Sequence, residues 1–299
     1  MNKKLTGVVD IPLKSQEDDQ LQMKSFEMAL SEFIKFTSTP ITIALQGEWG
    51  SGKTSLMNRL EEQLCRAEGT NFYSVWLNTW HYSLMKNDND ILIGIINALI
   101  EQVIEISRKE HPEKLKHIIK DVYKVGKTIF KGLSQVAVKT TVSQINENAA
   151  DSINDVFFNE NGEDNYSLND LRNKLSELIN NNIEKNVDKG INKKSFVFFI
   201  DDLDRIDPIL AINILELMKN IFDIDNCIFI LAIDYDVVVK GLKGKFGELN
   251  EKNEREFRSF FDKIIQLPFQ MPLNSYIIDD YIKEKLLSVN IITKEEADN

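Results

Sequence analysis

The chain has 299 residues, 42% of them hydrophobic, enough for one large α/β domain or for one domain with a helical appendage. Lys and Arg total 36 against 47 for Asp and Glu, a formal net charge of −11 that excludes broad, non-specific binding to nucleic acid or anionic membranes and leaves room only for a local basic patch. The two cysteines, Cys65 and Cys227, are far apart and read as buried free thiols, and His81, His111 and His117 lack the spacing of a zinc site.

Residues 1–25 are polar and charged, without the apolar centre of a secretory signal. The most apolar runs, at 91–100 and 227–233, fall short of the roughly 20 residues that span a bilayer. A cytoplasmic protein without an integral membrane span is therefore expected. Apolar residues at helical spacing predict a helix over 26–36, closed by Pro40. A short buried strand, ITIAL at 41–45, runs into a glycine-rich loop, and a helix follows over 54–67 with Leu56, Leu60 and Leu64 on one stripe. FYSVWLN at 72–78 reads as a strand and 91–106 as a long amphipathic helix.

From 109 to 194 the composition turns polar, with helical periodicity at 122–142 and 168–183 and a loop expected at EDNY near Glu163. Apolar residues there are too sparse for a separate core, so the segment reads as a helical insertion. Strands resume at 195–200 and 226–233, separated by a helix over 208–221; a last strand, KIIQLPF at 263–269, precedes a helix from about Asn274. The alternation of strands and helices predicts an α/β fold with a central, mostly parallel sheet flanked by helices. Residues 1–108 and 195–299 form its two parts around the 109–194 insertion, and a further domain is expected after Asn299.

GEWGSGKTS, comprising Gly47, Glu48, Trp49, Gly50, Ser51, Gly52, Lys53, Thr54 and Ser55, has the P-loop pattern between a strand and a helix. Its glycines let successive N–H groups curl around a polyphosphate at the positive end of the helix. Lys53 then reaches the β and γ phosphates of ATP and the Thr54 hydroxyl holds Mg2+. In FVFFIDDLDR an apolar strand ends in carboxylates. Asp201 is the expected magnesium ligand and Asp202 the residue that orients or deprotonates the attacking water. Asp204 and Asp207 read as helix caps. Asp234, after the next strand, is either a γ-phosphate sensor or a plain turn acid. Arg258, Lys263 and Arg205 are candidates for an arginine finger or its lysine equivalent offered to a neighbouring subunit, or else surface ion-pair residues. Asp19 and Leu21 are placed where a segment packs on adenine, or where a helix starts. Trp76, Trp80, His81 and Tyr82 form either a stacking surface for bases or the packing of a strand and its turn.

GEWGSGKTS, VWLNTWHYS, FFIDDLDR, AIDYDVV and FFDKIIQLPFQMP, with an acidic EDD segment ahead of them, together resemble the KAP family of P-loop NTPases over nearly the whole chain outside the insertion. The resemblance implies an ATPase of the additional-strand class, with Lys53, Thr54, Asp201 and Asp202 at the phosphate, magnesium and catalytic positions. Family members often carry membrane helices between the two nucleotide motifs; the charged 109–194 segment has no such span. The resemblance also implies a link to bacterial defence against phage. An ATP hydrolase driving a conformational or assembly cycle as a homo-oligomer, with a protein partner or effector domain, is the leading expectation. The alternatives are a slow nucleotide-gated scaffold and a nucleic-acid-remodelling motor.

Overall fold

The computed structural model describes residues 23–67, 69–85, 87–140, 166–188, 195–248 and 254–273, and beyond these 276, 283, 286 and 287. In chain order the elements are α1 (Lys24–Phe36), β1 (Ile41–Gln46), α2 (Lys53–Glu61), β2 (Phe72–Asn78), α3 (Asp88–Glu110), α4 (Lys116–Thr140), α5 (Leu168–Asp188), β3 (Ser195–Asp201), α6 (Pro208–Phe222), β4 (Cys227–Ile233), α7 (Tyr235–Phe246), α8 (Glu254–Ile264) and β5 (Leu267–Gln270). One π-helical turn, Glu62–Arg66, extends α2, and 3₁₀ turns at Thr79–Tyr82 and Leu203–Arg205 follow β2 and β3.

All five strands are parallel, in the order β2-β3-β4-β1-β5. A parallel sheet is covered on both faces, so its strands have no wet side; SFVFFID and CIFILAI, the two runs with no polar alternation, are accordingly buried at every position. Successive side chains go to opposite faces. Phe198 and Phe229 stack 4.5 Å apart on the face covered by α3 to α8, while Phe199 stacks on Trp76 at 5.2 Å on the face covered by α1 and α2. Only the β1-to-β2 connection runs toward the β2 edge of the sheet; every later connection runs the other way. Right-handed crossovers therefore place α2 on one face and the later helices on the other. The strand β4 lies between β1 and β3, the additional strand that the resemblance implies.

The polar stretch after residue 108 contributes to the sheet's own core. Ile118, Val122, Val125 and Ile129 on α4, and Leu171, Leu175 and Leu178 on α5, recur every three or four residues and join the cluster that contains Phe198 and Leu231. A narrow stripe is enough to dock a helix whose remaining face is wet. The expected loop near Glu163, residues 141–142 of the first periodic stretch, Asp19 and Leu21 lie outside the described residues, as does most of the helix expected from about Asn274, of which Lys283, Leu286 and Leu287 are described and helical.

At the last strand the structure differs from the expectation. Lys263 and Ile264 close α8, because Phe257, Phe260 and Ile264 recur at helical spacing and bury together; pairing with β1 begins only at Leu267. Cys227 is buried, as read from the sequence, and burial raises its thiol pKa; Cys65 is half-buried.

Candidate functional site

The carboxyl ends of β1 and β3 open at one edge of the sheet, where the chain reverses its direction of winding, the place where α/β folds bind ligands. Gly47 donates its N–H to the Ile233 carbonyl at 3.4 Å, which fastens the start of the loop to β4. Gly50 and Gly52 have φ of +80° and +87°, the left-handed region that costs other residues energy, and this is what lets the chain double back into α2. The helix starts at Lys53 with Gly52 at its N-cap and no side-chain cap, so its first-turn amides keep their capacity for an anion. The Ser51 hydroxyl is buried and has no hydrogen-bond partner, and a Cβ at Gly47 would come within 2.5 Å of it. Glu48 and Trp49 are exposed, and Ser55 is half-buried in the first turn of α2.

Lys53 is 8% exposed. Its ammonium donates to the Gly47 carbonyl at 2.7 Å and the Glu48 carbonyl at 3.0 Å, and pairs with Asp204 Oδ2 at 3.3 Å. Next to it, Thr54 Oγ1 donates to Asp201 Oδ1 at 3.1 Å, so two residues 147 positions apart in sequence meet. Burial holds the Asp201 carboxyl above its usual range, and the charge of Asp202 adds to that; hydrogen bonds from the Asp202 amide and from Thr54 work the other way. The Asp201 carbonyl accepts from Thr79 Oγ1 at 3.0 Å.

Asp202 is left-handed, φ +57°, a conformation uncommon outside glycine. Its Oδ2 accepts from Asn78 Nδ2 at 2.7 Å and its Oδ1 from Arg205 Nε at 2.6 Å. The Arg205 guanidinium lies 4.7 Å from the ring centre of Trp80, and the Trp80 amide donates to Asn78 Oδ1 at 3.0 Å. Asp202, Asn78, Trp80 and Arg205 thus form a closed ring of contacts.

The other residues expected at the site are placed differently. Asp234 caps α7, accepting from the Asp236 amide at 2.9 Å. Asp207 caps α6, accepting from the amides of Ile209 and Leu210. Arg258 and Lys263 are exposed on α8, and Arg205 is engaged with Asp202 and Trp80. The aromatic group divides: Trp76 is packing, His81 is exposed, Tyr82 is half-buried, and Trp80 is 51% exposed under Arg205.

Three contributors are absent from the sequence expectation in these roles. Asn78 stands in register with Asp201 across β2 and β3. Asp204 is a partner of Lys53, where a helix cap was expected. Tyr276, whose phenol pKa is pushed up to about 12 by burial, donates its hydroxyl to the Ser51 carbonyl at 2.7 Å. The asparagine could have been found from its place at the end of β2; the phenol had no signal.

The donor set fits a magnesium nucleotide. Thr54 and Asp201 offer two hard oxygens, and a carboxylate that burial disfavours in its charged form gains from a cation beside it. Among the described residues there is no group of three or more His, Cys, Asp or Glu able to hold a metal, so Thr54 and Asp201 would hold a magnesium ion together with phosphate oxygens and water. Among the described residues, too, no helix is long and apolar enough to cross a membrane. No curated protein matches the chain. A family model described as the KAP family P-loop domain matches residues 23–299, nearly the whole chain, and the protein therefore belongs to the KAP family of P-loop NTPases.

Proposed function

We propose that the chain binds ATP with magnesium at the carboxyl edge of the sheet and hydrolyses it. The observation that carries this reading is the meeting of Thr54 and Asp201 beside the Lys53 ammonium, under a glycine loop shaped for an anion. Lys53 offsets negative charge on the β and γ phosphates, and the loop amides orient them. Thr54 and Asp201 would hold a magnesium ion, which would neutralise phosphate charge when bound. Asp202, held at both oxygens by Asn78 and Arg205, orients the attacking water and accepts its proton.

Arg258, exposed on α8, is proposed as the cation that one subunit offers to its neighbour in a homo-oligomer. Turnover then drives a conformational or assembly cycle in the cytoplasm, with a defence role the one that the resemblance implies. A second reading, a slow nucleotide-gated scaffold, is favoured by one observation: Lys53 and both oxygens of Asp202 are engaged by protein partners, which must be displaced or shared before reaction.

Phosphate release from ATP at rising protein concentration, by wild type and Asp202→Asn, separates the two. The hydrolase reading predicts turnover whose specific activity climbs with concentration and falls by about 10² to 10⁴-fold in the variant. Tight ATP binding without phosphate release at any concentration would hand the case to the scaffold.

A further inference from the structure

An ammonium group has three donors. On Lys53 two of them go to the carbonyls of Gly47 and Glu48, and the ammonium forms a buried ion pair with the carboxylate of Asp204 at 3.3 Å. A phosphate that approaches this ammonium must therefore compete with the groups already around it. Both carbonyls belong to the loop that wraps the phosphates. Asp204 belongs to a different element, the Leu203–Arg205 turn, and carries the same sign of charge as the incoming ligand. Burial sharpens the competition, because the Lys53 and Asp204 side chains are only 8% and 11% exposed and water screens them weakly.

We propose that Asp204 is an internal competitor of the nucleotide: its carboxylate neutralises Lys53 in the empty site and is expelled by the phosphates, so that it sets the affinity of the chain for nucleoside triphosphates. The turn that carries it is built to give way at one end. Leu203 is fully buried and anchors the turn in the core, while the two charged residues after it each close one ion pair, Asp204 to Lys53 and Arg205 to Asp202. Loss of the first pair leaves a carboxylate that must turn toward solvent, and Arg205, the next residue, is already half-exposed against Trp80. Nucleotide binding is thereby tied to the position of the ring of contacts that holds Asp202.

The inference rests on the proposed nucleotide site and is separable from it. The test is equilibrium binding of ATP to wild type, Asp204→Asn and Asp204→Ala, each with magnesium and with a chelator. If the Lys53–Asp204 pair is closed about ten times more often than open, apparent affinity is lowered about tenfold, so both variants should bind about tenfold more tightly than wild type in both conditions. Either variant that melts cooperatively carries the test. Unchanged or weaker binding in the variants beside clear binding by wild type overturns the competitor role alone. Weakening confined to the magnesium condition also overturns it, in favour of a role at the metal. No binding by any of the three proteins overturns the nucleotide reading as well.

Discussion

The helix α2 carries two buried ion pairs, one at each end, and they are built for opposite purposes. In its last turn Arg59 pairs with Glu27 of α1 at 3.1 Å; both residues are under a tenth exposed, and Gln63 donates a second hydrogen bond to the same carboxylate. At its first residue Lys53 pairs with Asp204 at 3.3 Å, equally buried, yet the groups around it are loop carbonyls and the pair faces the open edge of the sheet. Two charges removed from water need partners in either case. At the far end those partners are permanent and join two helices. At the phosphate end the partner is one that a polyanion can replace.

The permanent pair should give the largest effect on stability. Arg59→Ala leaves Glu27 charged and buried, and the cost of such orphaned charges is about 3–5 kcal/mol. That is a fall in Tm of about 5–8 °C for a chain of this size. ATP affinity of the folded protein should stay within about threefold of wild type. A melting curve with a fall of under 2 °C would mean that the Arg59–Glu27 contact is not the structural pair described here.

A smaller effect of opposite sign is expected at Asp201. Its carboxyl is held above the ordinary range by burial first and by Asp202 second, so ionisation costs the folded state more than the unfolded one. The cost appears as pH rises above the unfolded value of about 3.9 and is complete once pH exceeds the raised folded value. Without nucleotide, Asp201→Asn should therefore melt higher than wild type at pH 7, by about 1 kcal/mol as is usual when a functional strain is relieved. The gap should narrow as pH is lowered toward 4. The same variant should lose the magnesium-dependent part of ATP binding. A lower melting point at pH 7 would show that Asp201 is a structural hydrogen-bond partner before anything else.

The two kinds of region also differ in how far they can be read from sequence. Strands β3 and β4 are legible because seven consecutive buried positions demand an unbroken apolar run. The P-loop is legible because its parts are contiguous: a strand, three glycines, then Lys53 and Thr54. The contact of Asn78 with Asp202 spans 124 residues, and only the adjacency of β2 and β3 brings the two together. Asp204 looked like a helix cap because acids before a proline usually are; Asp207 is that cap, and a 3₁₀ turn swings Asp204 back toward Lys53. The stretch at 263–264 misled because two apolar residues beside a strand satisfy either period, and only the helical stripe through Phe257 and Phe260 decides between them.

Titration of the purified chain with ATP, wild type beside Lys53→Ala, tests the phosphate-binding site at its centre. Saturable binding by wild type and a loss of at least about 100-fold in the variant is the predicted result, since Lys53 is, among the described residues, the buried cation that donates to the loop carbonyls. Equal binding by the two proteins, with both melting as folded chains, would place the nucleotide somewhere other than the Gly47–Thr54 loop and contradict the account.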